Sequence, residues 1–301
     1  MNIKKRVFSL LSSCYVVGCL FAQNILISTP ATSLVLSAPE KGELKYIYYG
    51  AKLSDRDFQT IGSLDKGKYA AYPVYGLNCP SEVALAVKHN DGNMTLQLEV
   101  VKVESSHQDE ANLTIISLKD KVYPFYVKMF YKAYQDTDII EIWSEISHQE
   151  KKTVVLNQFA SAYLPIRKGD VWLSHLYGAW ANEGRLEEVP LEAGMKVIKN
   201  KDGVRNSHTA HAEVMFSLDG KPRENEGRVI GAALCYSGNY KLRIDTDESD
   251  YHHFFAGINE DNSTYNLKNG EIFRTPELAL TYSDEGLSGS SRNFHRWARL
   301  H

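Results

Sequence analysis

From Asn24 onward the apolar positions alternate with polar ones instead of recurring every three or four residues. The run Tyr123 to Tyr134 (YPFYVKMFYKAY) is dense in Tyr, Phe and Val, and Gln135-Asp136-Thr137-Asp138 supplies a turn. Ile139 to Ile146 (IIEIWSEI) then puts Ile140, Ile142 and Ile146 on one face of a strand and Glu141, Trp143 and Glu145 on the other. Thr153 to Ile166 is another extended run, and strand-like residues flank Asp91-Gly92 on both sides, Val83 to Val87 and Thr95 to Val101. Asp91-Gly92, Asp202-Gly203, Asp219-Gly220 and Asn269-Gly270 offer the positive φ that tight hairpins need. A helical period emerges only in Ser290 to His301, with Phe294, Trp297 and Ala298 on one side and Arg292, Arg296 and Arg299 around the other. No Pro/Gly/Ser-rich linker, repeat or charge block divides the chain. The pattern predicts an all-β fold, one large antiparallel sandwich with a short C-terminal helix, larger than an immunoglobulin-type domain of about 100 residues.

The N-terminus reads as an address. Lys4, Lys5 and Arg6 precede an interrupted apolar stretch, Val7 to Leu20, too short for a membrane span. A basic start, a short apolar core and the small Ala22 predict a signal peptide over residues 1–22, cleaved before Gln23. Val16-Val17-Gly18-Cys19 alternatively resembles a bacterial lipobox, with Cys19 acylated. Both readings export the chain, to the periplasm or beyond. Cleavage before Gln23 removes Cys14 and Cys19 and leaves Cys79 and Cys235, which either pair or stay as separate thiols.

Composition narrows the function. The balance of 34 Lys+Arg against 37 Asp+Glu leaves no basic excess to neutralise phosphates, so nucleic acid is not an expected partner. The 43% hydrophobic content excludes a disordered chain. Eighteen tyrosines fit β structure and also fit stacking on sugars. Sugar chemistry needs paired carboxylates, and candidates are Asp55 with Asp57, Glu187 with Glu188, and the acidic loop Asp245, Asp247, Glu248 and Asp250. The loop reads as a solvated turn, because it lacks the glycine and distal Glu of a calcium loop. His208, His211 and Glu213 form the one histidine and carboxylate set with strand spacing; His252 and His253 point to opposite faces. No C-x-x-C, Gly-x-Ser-x-Gly, Gly-rich phosphate loop or His-Glu-x-x-His occurs, so no metal or cofactor is expected and motifs alone leave the chemistry unassigned.

An ordered set of short motifs goes further. Tyr48-Tyr49-Gly50 with Leu53 is followed by Tyr72-Pro73 and Tyr75-Gly76, then by His175-Leu176, Gly178-Ala179-Trp180, Glu183 and Arg185, and by Ser207-His208. Phe255, Gly257-Ile258-Asn259, Gly270-Glu271, Phe273, Thr275-Pro276-Glu277, Gly286-Leu287, Ser291-Arg292 and Phe294-His295 complete it. The set resembles the N-terminal region of the microbial α-galactosidases of glycoside hydrolase family thirty-six, over about residues 25–301. The resemblance implies a galactose-mutarotase-like β-supersandwich over 23–288 and, over 289–301, the start of a helix leading to a (β/α)8 barrel outside this chain. That barrel carries both catalytic aspartates, so no catalytic residue is expected here. The family nucleophile lies in a Lys-x-Asp motif on a barrel strand; Lys168-Gly169-Asp170 falls within the sandwich and reads as a structural turn.

The implied role is a non-catalytic module that packs on the barrel and helps assemble homo-oligomers. A loop holding Asp55, Arg56 and Asp57 is expected to reach a neighbouring subunit's galactoside, with Trp180 stacking on sugar. Two alternatives remain: a free-standing carbohydrate-binding sandwich, and a mutarotase-type epimerase using His208 or His211 with Glu213. The Asn-His-x-x-Phe-Asn signature of the latter is absent.

Overall fold

The computed structural model describes residues 23–39, 41–64, 67–76, 82–205 and 209–301. The expectations for the leader, including Cys14 and Cys19, and those for Cys79 and His208, lie outside the described residues. In chain order, β1 (Gln23–Ser28), β2 (Thr32–Ala38) and β3 (Lys45–Ala51) precede α1 (Asp55–Leu64). Then come β4 (Leu85–Lys88), β5 (Leu98–Gln108), β6 (Ala111–Asp120), β7 (Phe125–Tyr134), β8 (Ile140–His148) and β9 (Val154–Ile166). The second half supplies β10 (Trp172–Ala179), β11 (Asn182–Pro190), β12 (Gly194–Lys199), β13 (Ala210–Ser217) and β14 (Val229–Leu234). It continues with β15 (Tyr240–Thr246), β16 (His252–Ile258), β17 (Tyr265–Leu267), β18 (Ile272–Arg274), β19 (Leu278–Ser283) and the helix α2 (Gly286–Leu300).

Three antiparallel sheets result. One is the meander β1-β2-β3. A ten-stranded sheet runs β11-β10-β13-β14-β19-β8-β7-β6-β5 with β18 also on β8, and a six-stranded sheet runs β12-β15-β16-β9-β17 with β4 also on β9. The alternation read from the sequence explains why they stack. Register pairs Tyr131 with Ile142 and Phe130 with Trp143 across β7 and β8. Tyr131, Ile140, Ile142 and Ile146 turn inward to one continuous core with Leu34 and Leu36 of β2 and Leu156, Leu242 and Phe254 of the smaller sheet. Each such side chain contributes about 1.5–3 kcal/mol by leaving water. On the opposite face Trp143 stacks on Phe130 at 4.8 Å beside Leu113, and the Arg274 guanidinium covers the Trp143 ring at 5.0 Å.

Helix α2 starts four residues before the helical run that the pattern marks, and lies on the outer face of the larger sheet. Phe294 and Trp297 pack on Ala111, Tyr134, Ile139 and Ala279. Its first turn has no side-chain cap. Backbone carbonyls of the β13–β14 loop replace one: Gly286, Leu287 and Ser288 N–H donate to Gly227, Arg223 and Glu224 at 3.0, 3.1 and 2.9 Å. Gly286 sits at φ +64°, hemmed in by that loop.

Candidate functional site

The residues read as sugar contacts occupy two exposed places. Asp55, Arg56 and Asp57 are not in an open loop as expected; they form the first turn of α1. Ser54 causes this. Its Oγ accepts from the Asp57 N–H (3.2 Å) and donates to the Asp57 carboxylate (2.7 Å), so the charged stretch is capped as the start of a helix. Both carboxylates face solvent at the positive end of the helix dipole, where negative charge is favoured.

Trp180 tips the β10–β11 hairpin and is 83% exposed. Pairing of Ala179 with Asn182 leaves a two-residue turn, Trp180-Ala181, with Ala181 at φ +59°. The Glu183 carboxylate holds it by accepting the Ala181 N–H at 3.1 Å. Gly178 is required here, since a Cβ would fall 2.5 Å from the Asn182 carbonyl oxygen. Lower on the hairpin, Glu187 lies 2.7 Å from Lys196 of β12 and 2.6 Å from His175, and Lys196 followed by His175 holds its carboxyl below the usual range. Among the described residues, no hydrogen bond, ion pair or shared cavity joins Trp180 to Asp55, Arg56 or Asp57.

The other candidates are structural in their contacts. The acidic loop is built around Asp247, whose carboxylate accepts from the Ser249 and Tyr251 N–H groups at 2.8 and 3.0 Å. It also lies 3.1 Å from His253 Nε2 and receives the Tyr69 hydroxyl at 3.3 Å. Partial burial opposes its charge, but the Tyr251 N–H and His253 prevail and keep it below the ordinary carboxylate range. Asp170 of Lys168-Gly169-Asp170 accepts from Trp172 Nε1 at 3.0 Å and its carbonyl from the Gly220 N–H, a turn as expected. His211 and Glu213 share a face of β13, yet the His211 Nε2 has no partner among the described residues. Cys235 is an exposed free thiol.

Sequence reasoning missed a cavity of about 560 Å³ between β3, the end of β9 and the β14–β19 ladder. Lys68, Arg167, Lys168 and Arg228 line it, with six tyrosines from four segments. The one sequence signal was Tyr48-Tyr49, which the motif reading used for a different purpose.

Two large antiparallel sheets, a third small one and one core between them define the class: a β-supersandwich domain. Residues 42–268 match the glycosyl hydrolase family 36 N-terminal domain, and the chain belongs to that family. It is similar to the alpha-galactosidase Mel36A of Lactobacillus acidophilus, 27% identical over 299 residues that cover 87% of this chain and 40% of the relative. It is also similar to the bifunctional alpha-galactosidase/sucrose kinase AgaSK of Mediterraneibacter gnavus, 26% identical over 91% of this chain and 32% of the relative. The chain thus spans well under half the length of these curated relatives. Among solved structures, the alpha-galactosidase AgaA of Geobacillus stearothermophilus superposes with a TM-score of 0.84 at 23% identity, over 92% of this chain and 43% of that one. Among the described residues, no helix is long and apolar enough to cross a membrane.

Proposed function

We propose that this chain is the non-catalytic sandwich module of a family 36 α-galactosidase. It packs on the (β/α)8 barrel that supplies both catalytic carboxylates, and it presents the α1 turn and the Trp180 hairpin to a galactoside bound by a neighbouring copy. The family match across residues 42–268 carries this reading. A second feature supports a protein partner. Leu186 of β11 and Met195 and Val197 of β12 are exposed on edge strands that the Glu187–Lys196 pair holds together. Exposed apolar side chains on the two sheet edges leave those edges open to association with another chain.

Incubation of the purified chain with an aryl α-galactoside should give no turnover; activity that survives purification would refute the reading. Mixed with a family 36 barrel, the chain should co-elute with it; separate elution would refute the packing. Calorimetry with galactose or raffinose, in the absence of barrel, separates the module from a free-standing carbohydrate-binding sandwich, which alone would bind tightly. We further propose that residues 1–22 export the chain. Intact mass of the mature protein should show Gln23 or an acylated Cys19 at the N-terminus, and a retained Met1 would refute export.

A further inference from the structure

Three segments meet where α2 ends. Glu110 lies in the β5–β6 turn, Asp136 in the β7–β8 turn, and His301 is the C-cap of α2. One ligand atom from each, an imidazole nitrogen and two carboxylate oxygens, falls within 4.8 Å of the other two. His301 Nε2 lies 2.9 Å from Asp136 Oδ2 and 4.0 Å from Glu110 Oε2. Zinc binds such atoms at about 2.0–2.2 Å, and tetrahedral geometry then sets them about 3.3 Å apart. The two observed separations bracket that value, so shifts of less than about 1 Å would close the three donors on one ion.

The scaffold is already fixed. The Gln135 N–H donates to the Glu110 carbonyl at 2.7 Å and joins the two turns. The β7–β8 turn is anchored from its other side, where the Asp138 carboxylate accepts from the Thr29 hydroxyl and the Ala31 N–H at 2.8 and 2.7 Å. Phe294 and Trp297 of α2 pack on Ala111 and Tyr134, which adjoin the two turns. The His301 N–H is held by the Trp297 carbonyl at 2.9 Å, and its ring lies 4.3 Å from the Tyr134 ring. Tyr134 in turn donates its hydroxyl to Glu141 at 3.0 Å. An arriving ion has little left to order, which favours binding.

Charge favours a cation as well. Among the described residues no Lys or Arg pairs with Glu110 or Asp136; His301 is their partner. Metal ions are bound by neutral imidazole, and in that form the two carboxylates face each other with no counter-charge. A divalent ion supplies it. The nitrogen donor selects the class, because magnesium and calcium take oxygen ligands whereas imidazole suits zinc and its transition-metal neighbours. No linear motif shows this set, since His301 stands 165 residues from Asp136.

We infer that Glu110, Asp136 and His301 bind one divalent transition-metal ion of the zinc class, which fastens the end of α2 to the two hairpin turns. The inference concerns the sandwich itself and uses neither the barrel nor the galactoside contact proposed above, so each can fail without the other.

Calorimetry on the full chain, free of any affinity tag, tests it with Zn²⁺ and with Mg²⁺ in turn. One Zn²⁺ per chain should bind, about tenfold or more tighter than Mg²⁺. At a hundredfold excess over its Kd, Zn²⁺ should raise the melting temperature by about 5–10 °C. It should also slow hydrogen exchange in the last turn of α2. His301→Ala and Asp136→Asn should each weaken Zn²⁺ about tenfold or more, at least the loss that follows removal of a group that merely orients a ligand. If His301→Ala melts early without metal, Glu110→Gln repeats the comparison, since that side chain is 66% exposed. The chain's other histidines stay in place, so adventitious binding appears equally in parent and variants. The inference is overturned if Zn²⁺ binds no tighter than Mg²⁺, if neither binds, if the variants bind as the parent does, or if bound Zn²⁺ leaves exchange at the end of α2 unchanged.

Discussion

Helix α2 rests on the larger sheet through a contact that one methyl group would break. Gly231 pairs with Thr281 across β14 and β19, and the helix crosses directly above. A Cβ at Gly231 would lie 2.3 Å from Ser290 Oγ, 2.7 Å from Phe294 Cε2 and 2.9 Å from Thr281 Cγ2. Ser290 is fully buried, and its short side chain has nowhere to retreat. Gly231→Ala must therefore push the helix off the sheet or distort the strand, an overpacking cost of about 1–3 kcal/mol. For a domain of this size each kcal/mol lowers the melting temperature by about 2–4 °C. Gly169→Ala is the matched control. Its Cβ would meet nothing nearer than the Leu218 carbonyl oxygen at 4.0 Å, so it should stay within about 0.5 kcal/mol of the parent. Ser290 Oγ has no partner among the described residues, so Ser290→Ala should be tolerated alone and should recover part of the loss when combined with Gly231→Ala. Thermal unfolding followed by far-ultraviolet dichroism and by tryptophan emission reads the parent and all four variants. If Gly231→Ala melts with the parent and with Gly169→Ala, the helix is not seated as described and the reasoning fails.

Three further outcomes follow from the same structure. The Tyr131 hydroxyl is buried in the core with no partner among the described residues, so Tyr131→Phe should be neutral or should stabilise by up to about 1–3 kcal/mol in urea unfolding; a clear loss of stability would mean that the hydroxyl is bonded. Ser54→Ala removes the α1 cap and should cost about 0.5–2 kcal/mol locally, seen as faster hydrogen exchange of the first-turn amides with the global melt little changed. Unaltered exchange there would refute the cap. Asp261 is held well below the ordinary carboxylate range, first by Lys199 and then by Lys241. Its folded value lies under the unfolded value of about 3.9, so its stabilisation is present above that pH and is lost as pH falls through the folded value. Asp261→Asn should lower stability at pH 7 and flatten the decline below about pH 4; equal loss at pH 7 and at the acid end would rule this linkage out.

The sequence alone determined the sheets. In Ile139 to Ile146 a period of two assigns each side chain to a face, and burial of Ile140, Ile142 and Ile146 needs no knowledge of the partner strand. The same local logic marked the tyrosine-rich β7, the turn at Lys168-Gly169-Asp170 and the apolar side of α2 with Phe294 and Trp297. The ordered motifs carried the family, because spacing along the chain survives where single residues do not. Tertiary structure decided the rest. Asp55, Arg56 and Asp57 read as a charged loop, whereas in the structure the Ser54 hydroxyl caps them as the first turn of a helix. The start of α2 was illegible for a related reason: carbonyls of residues 223–227 cap it, and they are remote in sequence. The cavity beside β3 was beyond any linear reading. Tyr48, Lys68, Arg167 and Arg228 are separated by up to 180 residues, and only the stacking of three sheets sets their side chains around one space. Periodicity reports which way a side chain faces along its own strand, whereas a site is made by which strands come to lie beside one another.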